Sequence, residues 1–363
     1  MVQAQGDPTA RGEDVIGVVV VTFASADVIV ECLESLVAST GVSLKIVVVD
    51  NCSPDDTRAV IRDWASGRTP FQQPANSPLP AVEPTPKPLA LAVLDEEAIG
   101  APLGPLTLIE SPLNRGFAGA VNVGLKALGD QVGLFWVLNP DCAVRPEAAR
   151  AYAAAARSDA NFSLMTGFTA FYDDPEIVQS AGGRVDRFTG VCHQWHVSSR
   201  IADLGDLDAQ NFDWVTGANL IVSPAFLKAV GPMREHYFLY YEEIDWAFRR
   251  GGLPIRFVPD SIVYHHQGTS IGSGSRSRRS SALANYFNHR NRVRFSRRFL
   301  RFGAGGAYLY GMAKIIQLAA AGAFEEAFAG LAGLWDLPPP RAIRQRFKDP
   351  AAAALAFARD EPG

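Results

Sequence analysis

Cysteine is scarce in this chain of 363 residues: Cys32, Cys52, Cys142 and Cys192 are all there is, and no two are spaced as C-x-x-C. That excludes a disulfide scaffold and offers no zinc-knuckle or thioredoxin-like pair, so free thiols are expected. Long apolar runs are missing as well. The closest stretch, Gly303 to Trp335, is broken by Lys314 and by Glu325 and Glu326, and falls short of a membrane-spanning helix. The opening MVQAQGDPTARGEDV has no basic segment followed by an apolar one, so no signal peptide is expected and the reading is cytoplasmic. A formal net charge of −4 leaves no global basic field, and no nucleic-acid partner is expected.

What is present is a set of β-branched runs. Val15–Phe23 (VIGVVVVTF), Leu44–Val49, Leu106–Glu110 and Gly133–Leu138 read as buried parallel strands, with helical spacing at 27–39, 57–65, 114–128 and 147–157 between and after them. Strand and helix in alternation predict an α/β fold. Residues 1–14 read as a disordered lead. The Pro-rich stretch 66–105 reads as a partly mobile insertion with a short strand at 89–94. Strands are expected at 164–171, 190–197, 215–222, 255–258 and 261–266, giving a mixed sheet, and helices at 224–230 and 238–250. From Ser277 to about Leu334 the chain reads helical. The division expected is a catalytic domain over 15–270 and a basic, helical extension over 271–363.

Polar clusters follow the strands, where open α/β sheets bind ligands. Thr22-Phe23, Asp50-Asn51 and Asn139-Pro140-Asp141 stand there. A carboxylate in such a place can accept from a base imide N–H or hold a divalent cation against a diphosphate; it can equally cap a turn. The loop Asn114-Arg115-Gly116-Phe117-Ala118-Gly119-Ala120-Val121-Asn122 has small residues that let a ligand approach the backbone, and it is neither G-x-G-x-x-G nor a P-loop. Tyr240-Tyr241-Glu242-Glu243-Ile244-Asp245 concentrates three carboxylates. They suit either a helix N-terminus or a general base with groups that orient an acceptor hydroxyl. His265-His266-Gln267-Gly268-Thr269-Ser270 puts imidazole at a strand end, a metal or phosphate partner.

These pieces, taken in order, resemble the family 2 glycosyltransferases of GT-A fold, and within them the bacterial rhamnosyltransferase-like group. The matching segments are VVVVTF at 18–23, VVVDNCSPDDT at 47–57, NRGFAGAVNVG at 114–124 and LNPDC at 138–142. They continue with WVTGANLIVSP at 214–224, FLYYEEIDWAFRRGG at 238–252, VPDSIVYHHQGTS at 258–270 and YFNHRNRVRF at 286–295. The resemblance implies a nucleoside-diphosphate sugar donor, dTDP-rhamnose favoured, bound by Thr22, Phe23, Asp50, Asn51, Asn114, Gly116, Asn122, Asn139, Asp141 and Gly217. It implies Mg²⁺ or Mn²⁺ held by Asp141 and His265, and a base at Glu243, with Asp245 and Glu242 as alternates. The acceptor implied is a glycan or a lipid-diphosphate-linked glycan in bacterial surface polysaccharide synthesis. Ala24 stands where the family has Asn, and Glu243 where it has Asp. Two other readings remain: a sugar nucleotidyltransferase, although Phe23-Ala24-Ser25-Ala26 lacks the basic residue that chemistry uses, and a non-catalytic nucleotide-sugar-binding scaffold.

Nine arginines between Arg276 and Arg301, interleaved with Tyr286, Phe287, Phe295, Phe299 and Phe302, precede an Ala/Leu-rich stretch. This pattern suits an anionic membrane surface, or a tail packed on the catalytic domain or on a second copy in a homodimer.

Overall fold

The computed structural model describes residues 15–81, 83–100, 102–266, 279–301 and 303–359. The expected lead at 1–14 lies outside them, as do Gln267 to Ser270 of the histidine motif, Arg276, Arg278 and Phe302.

A β-branched run can sit mid-sheet when both of its faces are covered. β1 (Val15–Thr22) is buried at every position. Its side chains alternate. Val15, Val19 and Val21 face α3 (Gly116–Leu128), whereas Ile16, Val18 and Val20 face α1 (Ile29–Val37), α2 (Thr57–Ser66) and α4 (Ala148–Ser158). β1 pairs in parallel with β2 (Ser43–Asp50) and with β5 (Leu134–Leu138). The parallel set continues through β4 (Leu106–Glu110) to β3 (Leu91–Asp95) at the edge.

Past β5 the sheet is mixed. β11 (Asn219–Val222) runs antiparallel to β5 and to β7 (Leu164–Phe171). β12 (Ile255–His265) is parallel to β7, with β6 (Cys142–Val144) antiparallel to it at the far edge. The full order is β3-β4-β2-β1-β5-β11-β7-β12-β6, and β8 (Asp174–Ser180) adds antiparallel to β7. β9 (Gly183–Val185) and β10 (Cys192–Gln194) form a separate hairpin. β6, β8 and β9 were not expected. The strand expected at 190–197 shrinks to β10, and the two pieces expected at 255–266 are one strand with an irregularity between Phe257 and Ile262.

This register gathers the site. Thr22 lies opposite Asp50, Asp50 opposite Glu110, and Val20 opposite Leu138, so the polar residues after β1, β2 and β5 emerge on one edge. β11 starts at the same edge, Asn219 opposite Leu138, and β12 ends beside it, His265 opposite Cys142.

The described part of the insertion is fastened along α1 and α2. Ser77 Oγ donates to Glu31 at 2.6 Å, Lys87 Nζ to Glu34 at 3.0 Å, and the Leu89 N–H to the Ala65 carbonyl at 2.8 Å. Glu34 is buried, which opposes its charge, yet bonds from Thr85, Lys87 and Trp64 bring its carboxyl below the ordinary value.

The extension comprises α7 (Ala282–Phe299), α8 (Gly305–Ala320), α9 (Phe324–Leu334), α10 (Arg341–Arg344) and α11 (Pro350–Ala356). α7 packs on the sheet domain rather than presenting a solvated basic face: Arg290 and Arg294 are 1% and 2% exposed. α9 lies close on α7 because Gly333 has no side chain; a Cβ there would stand 2.1 Å from the Tyr286 carbonyl oxygen. No helix among the described residues is long and apolar enough to cross a membrane.

Candidate active site

The turn after β5 brings Asn139 and Asp141 to the end of β12. His265 Nε2 lies 3.1 Å from Asp141 Oδ1 and 3.2 Å from Asn139 Nδ2. Across the ring, Nδ1 is 2.6 Å from Gln179 Oε1, and Gln179 Nε2 donates to the His265 carbonyl at 3.2 Å. An amide oxygen only accepts, so Nδ1 donates to Gln179, and Nε2 is the ring nitrogen that faces Asp141 and Asn139. Gln179, in β8, was missed in the sequence.

Ligand atoms of Asp141, Cys142 and His265 lie within 4.8 Å of one another. Cys142 is the weak member. Burial pushes its thiol well above the ordinary value, the Asp141 charge adds to this, and Sγ donates to the Ala218 carbonyl at 3.4 Å. One carboxylate oxygen and one oriented imidazole nitrogen are a donor set that would suit a divalent cation.

At the ends of β1 and β2, Asp50 is fully buried. It accepts from Thr22 Oγ1 and the Ser53 N–H, each at 3.1 Å, and from Arg58 Nε. Phe23 is partly exposed beside them. Asn51 organises the loop that opens α3. Its Nδ2 donates to Asn114 Oδ1 at 3.0 Å and to the Gly116 carbonyl at 3.1 Å, while its Oδ1 accepts from the Arg115 N–H at 2.8 Å. Asn114 Oδ1 also accepts from the Gly116 N–H at 2.9 Å. Thr22, Asp50, Asn51, Asn114 and Gly116 therefore form one connected edge.

Asn122 does not join it. Both its Nδ2 donors are engaged, to the Met233 carbonyl and to Glu235 Oε1 at 2.9 Å each, and its Oδ1 accepts from the Met233 N–H at 3.0 Å. Expected in the nucleotide-sugar loop, it instead ties the segment before the acidic helix to α3.

That helix, α6 (Glu242–Phe248), is shorter than the expected 238–250 because the residues before it leave the helical region. Phe238, Tyr240 and Tyr241 have φ of 63°, 68° and 75°. Glu243 stands beside Gly217: a Cβ on Gly217 would lie 3.2 Å from the Phe117 ring and 4.0 Å from Glu243 Cγ. Burial pushes the partly exposed Glu243 carboxyl up to about 7. Glu242 is buried, and its Oε2 has no hydrogen-bond partner among the described residues. Burial, with the charge of Glu243 beside it, raises its carboxyl well above the usual range.

Asp245 takes a different part from the one expected. It is fully buried and accepts from Arg249 Nε at 2.8 Å and from Arg234 Nη1 and Tyr237 Oη at 3.0 Å each, with Arg298 at 3.9 Å. A carboxylate enclosed by three guanidinium groups anchors α6 and cannot reach an acceptor, so it is not an alternate base.

The two halves of the site are joined through Gly217 and Ala218. The Asn139 N–H donates to the Ala218 carbonyl at 3.1 Å, and Gly217 stands against Phe117 and Glu243. Asn139, two residues before Asp141, thus bonds to Ala218, while Phe117 and Glu243 stand against the neighbouring Gly217.

Residues 17–78 match the family model described as "Glycosyl transferase family 2". No curated protein sequence matches the chain. Among solved structures, GalNAc-T7 with UDP, GalNAc and Mn²⁺ is 13% identical at a TM-score of 0.51, over 92% of this chain and 58% of that one. TarS of S. aureus is 15% identical at 0.47, over 84% of this chain and 43% of that one. The mannosyltransferase PcManGT from Pyrobaculum calidifontis, in complex with GDP-Man and Mn²⁺, is 18% identical at 0.48, over 96% and 87%. The chain thus spans about half the length of the first two. At 13% identity the likeness to GalNAc-T7 speaks for the fold: this is a GT-A fold, with a mixed central sheet and a helical extension.

Proposed function

We propose that this chain is an inverting glycosyltransferase that moves a sugar from a nucleoside diphosphate to an acceptor hydroxyl. What supports the reading is the Asp141–His265 corner, reached from Gly217–Ala218 through Asn139, together with a half-buried carboxylate raised to about 7 against Gly217. Asp50, Thr22, Asn51 and Asn114 shape the edge where the nucleoside would lie, and Asp141 and His265 would hold Mn²⁺ or Mg²⁺. When bound, that cation supplies positive charge opposite the departing diphosphate. Glu243 takes the proton from the acceptor hydroxyl as its oxygen bonds to the anomeric carbon and the bond to the diphosphate oxygen breaks. A single carboxylate suffices, because the diphosphate leaves without being protonated by a second acid.

The donor we favour is dTDP-rhamnose, on the resemblance of the motifs to the rhamnosyltransferase-like group; the acceptor is a glycan or lipid-diphosphate-linked glycan. Exposed apolar side chains on the α8–α9 hairpin and just after it support a lipid-linked acceptor approached at an anionic membrane surface. Leu309 and Ile316 on α8, Phe324 and Phe328 on α9, and Trp335 and Leu337 are 51–70% exposed. Arg341, Arg344 and Arg346 follow immediately. A thermal-shift panel of nucleoside diphosphates and nucleotide sugars, with and without Mn²⁺, tests the donor reading: stabilisation by a thymidine or uridine diphosphate that grows with Mn²⁺ is expected, and no response to any member refutes it. Flotation with phosphatidylglycerol vesicles tests the surface; protein that stays at the bottom of the gradient refutes it.

A further inference from the structure

The segment YFNHRNRVRF in α7 has no part in the reaction as written, yet its side chains reach the turn that carries Glu243. That turn is strained. At Phe238, with φ 63° and ψ −48°, the chain makes a left-handed γ-turn, and the Leu239 N–H donates to the Tyr237 carbonyl at 2.7 Å. Tyr240 and Tyr241 follow, both left-handed. Bulky residues keep such conformations only where their surroundings over-determine them.

α7 supplies the surroundings. Asn291, fully buried, points its Nδ2 at three carbonyls in succession: Tyr237 at 2.9 Å, Leu239 at 2.7 Å and Tyr240 at 3.0 Å. Arg290 Nε donates to Asn291 Oδ1 at 3.0 Å, which fixes the amide's orientation, and its Nη2 donates to the Tyr237 carbonyl at 3.0 Å. Arg292 Nε donates to Tyr241 Oη at 3.1 Å, and that hydroxyl donates to the Gly190 carbonyl at 2.8 Å. On its other side the turn meets the donor-side loop: the Phe117 N–H donates to the Phe238 carbonyl at 2.9 Å, and Gly116 leaves no room for a Cβ there. Two residues after Tyr241 comes Glu243.

We propose that Asn291, oriented by Arg290, is a positioning residue of the active site: it holds the turn 237–241 in the conformation that aims Glu243 past Gly217. The extension is then part of the catalytic unit, and the asparagine acts through the turn without touching substrate. The inference rests on Glu243 being the base.

Asn291→Ala in the full chain is expected to lower kcat for sugar transfer by ~10²-fold, the cost of a reacting group misplaced by about an ångström, with the donor KM within ~3-fold of wild type. Hydrogen exchange read by mass spectrometry should speed up over 237–243 and stay unchanged in β1 and β2. Tyr240→Gly in the Asn291→Ala background, where glycine adopts the left-handed conformation unaided, should recover at least ~10-fold in kcat. Full kcat in Asn291→Ala, exchange that rises throughout the chain rather than locally, or a double variant no better than the single one would each overturn the proposal. Should Asn291→Ala fail to accumulate, Tyr241→Phe removes only the hydroxyl tie. It is expected to give the same local exchange and a ~5-fold loss of kcat; wild-type behaviour in both readouts would overturn the proposal. Glu243→Gln run in parallel separates the two claims: full activity there removes the base assignment, while the exchange data still judge the clamp.

Discussion

Replacing Glu243 by Gln should raise stability and abolish turnover in the same protein. The native carboxyl holds its proton up to about 7, against an ordinary value of 4.5. Between those two values the folded chain keeps a proton that the unfolded chain gives up. Stability therefore falls as pH rises through that window, and the penalty is complete above 7. The difference corresponds to about 3 kcal/mol at 1.36 kcal/mol per pH unit, and water reaching the exposed side of Glu243 reduces this to about 2 kcal/mol. Glutamine has the shape of the protonated acid and never ionises. Glu243→Gln should then be more stable than wild type by about 2 kcal/mol at pH 8 and indistinguishable from it at pH 4, as read by urea unfolding at the two pH values. Its transfer rate should drop by at least ~10²-fold, and the limb near pH 7 in the wild-type profile of kcat/KM should vanish. A variant less stable than wild type at pH 8 would mean that the carboxylate is well solvated or paired, and the reasoning fails; a variant that keeps near-full rate moves the proton transfer to another group.

Three more outcomes are expected. Gln179→Leu leaves His265 without its partner on Nδ1 and should weaken Mn²⁺ binding ~10- to 100-fold, measured as the Mn²⁺ dependence of turnover; an unchanged Mn²⁺ requirement contradicts the assigned tautomer. Asp245→Ala removes the fully buried acceptor shared by Arg249, Arg234 and Tyr237 and should cost about 3 kcal/mol in urea unfolding, whereas native-like stability would return Asp245 to the list of candidate bases. Glu34→Gln tests the fastening of the insertion. The Glu34 carboxyl lies below its ordinary value, so its contribution is present above the unfolded value and is lost as pH falls through the lower folded one. The stability gap between wild type and variant should therefore narrow as pH falls below the ordinary value of 4.5, and a gap independent of pH is the contrary result.

The sheet was legible wherever burial on two faces forces composition. β1, the second half of β2 and β5 are nearly continuous apolar runs, and the ends of β2 and β5 were marked by the change to Asp-Asn and Asn-Pro-Asp. Strands with one wet side were not legible. β8 begins Asp-Pro-Glu and is exposed over that start, and Gln179 was lost with it. Carboxylates are alike in a sequence, and the one local mark that separates Asp245 from Glu243 is Arg249 four residues further on. The difference comes from Arg234, Arg249 and Arg298, which three separate segments deliver to Asp245 alone. The strain at Phe238, Tyr240 and Tyr241 was hidden because aromatic residues do not advertise a left-handed backbone. The arginines of α7 left two readings open, a membrane surface and a packed tail, for a related reason. Guanidinium groups satisfied by main-chain carbonyls need no acidic partner, so Arg290 and the backbone it grips leave no charge pattern to read.

The most direct measurement is release of nucleoside diphosphate from a panel of nucleotide sugars, with the chain and a hydroxyl acceptor, in Mn²⁺ and after EDTA. The account predicts release from one donor class by wild type, its loss in EDTA, and its loss in Asp141→Ala and in Glu243→Gln. Transfer that proceeds equally in EDTA and in both variants would contradict it.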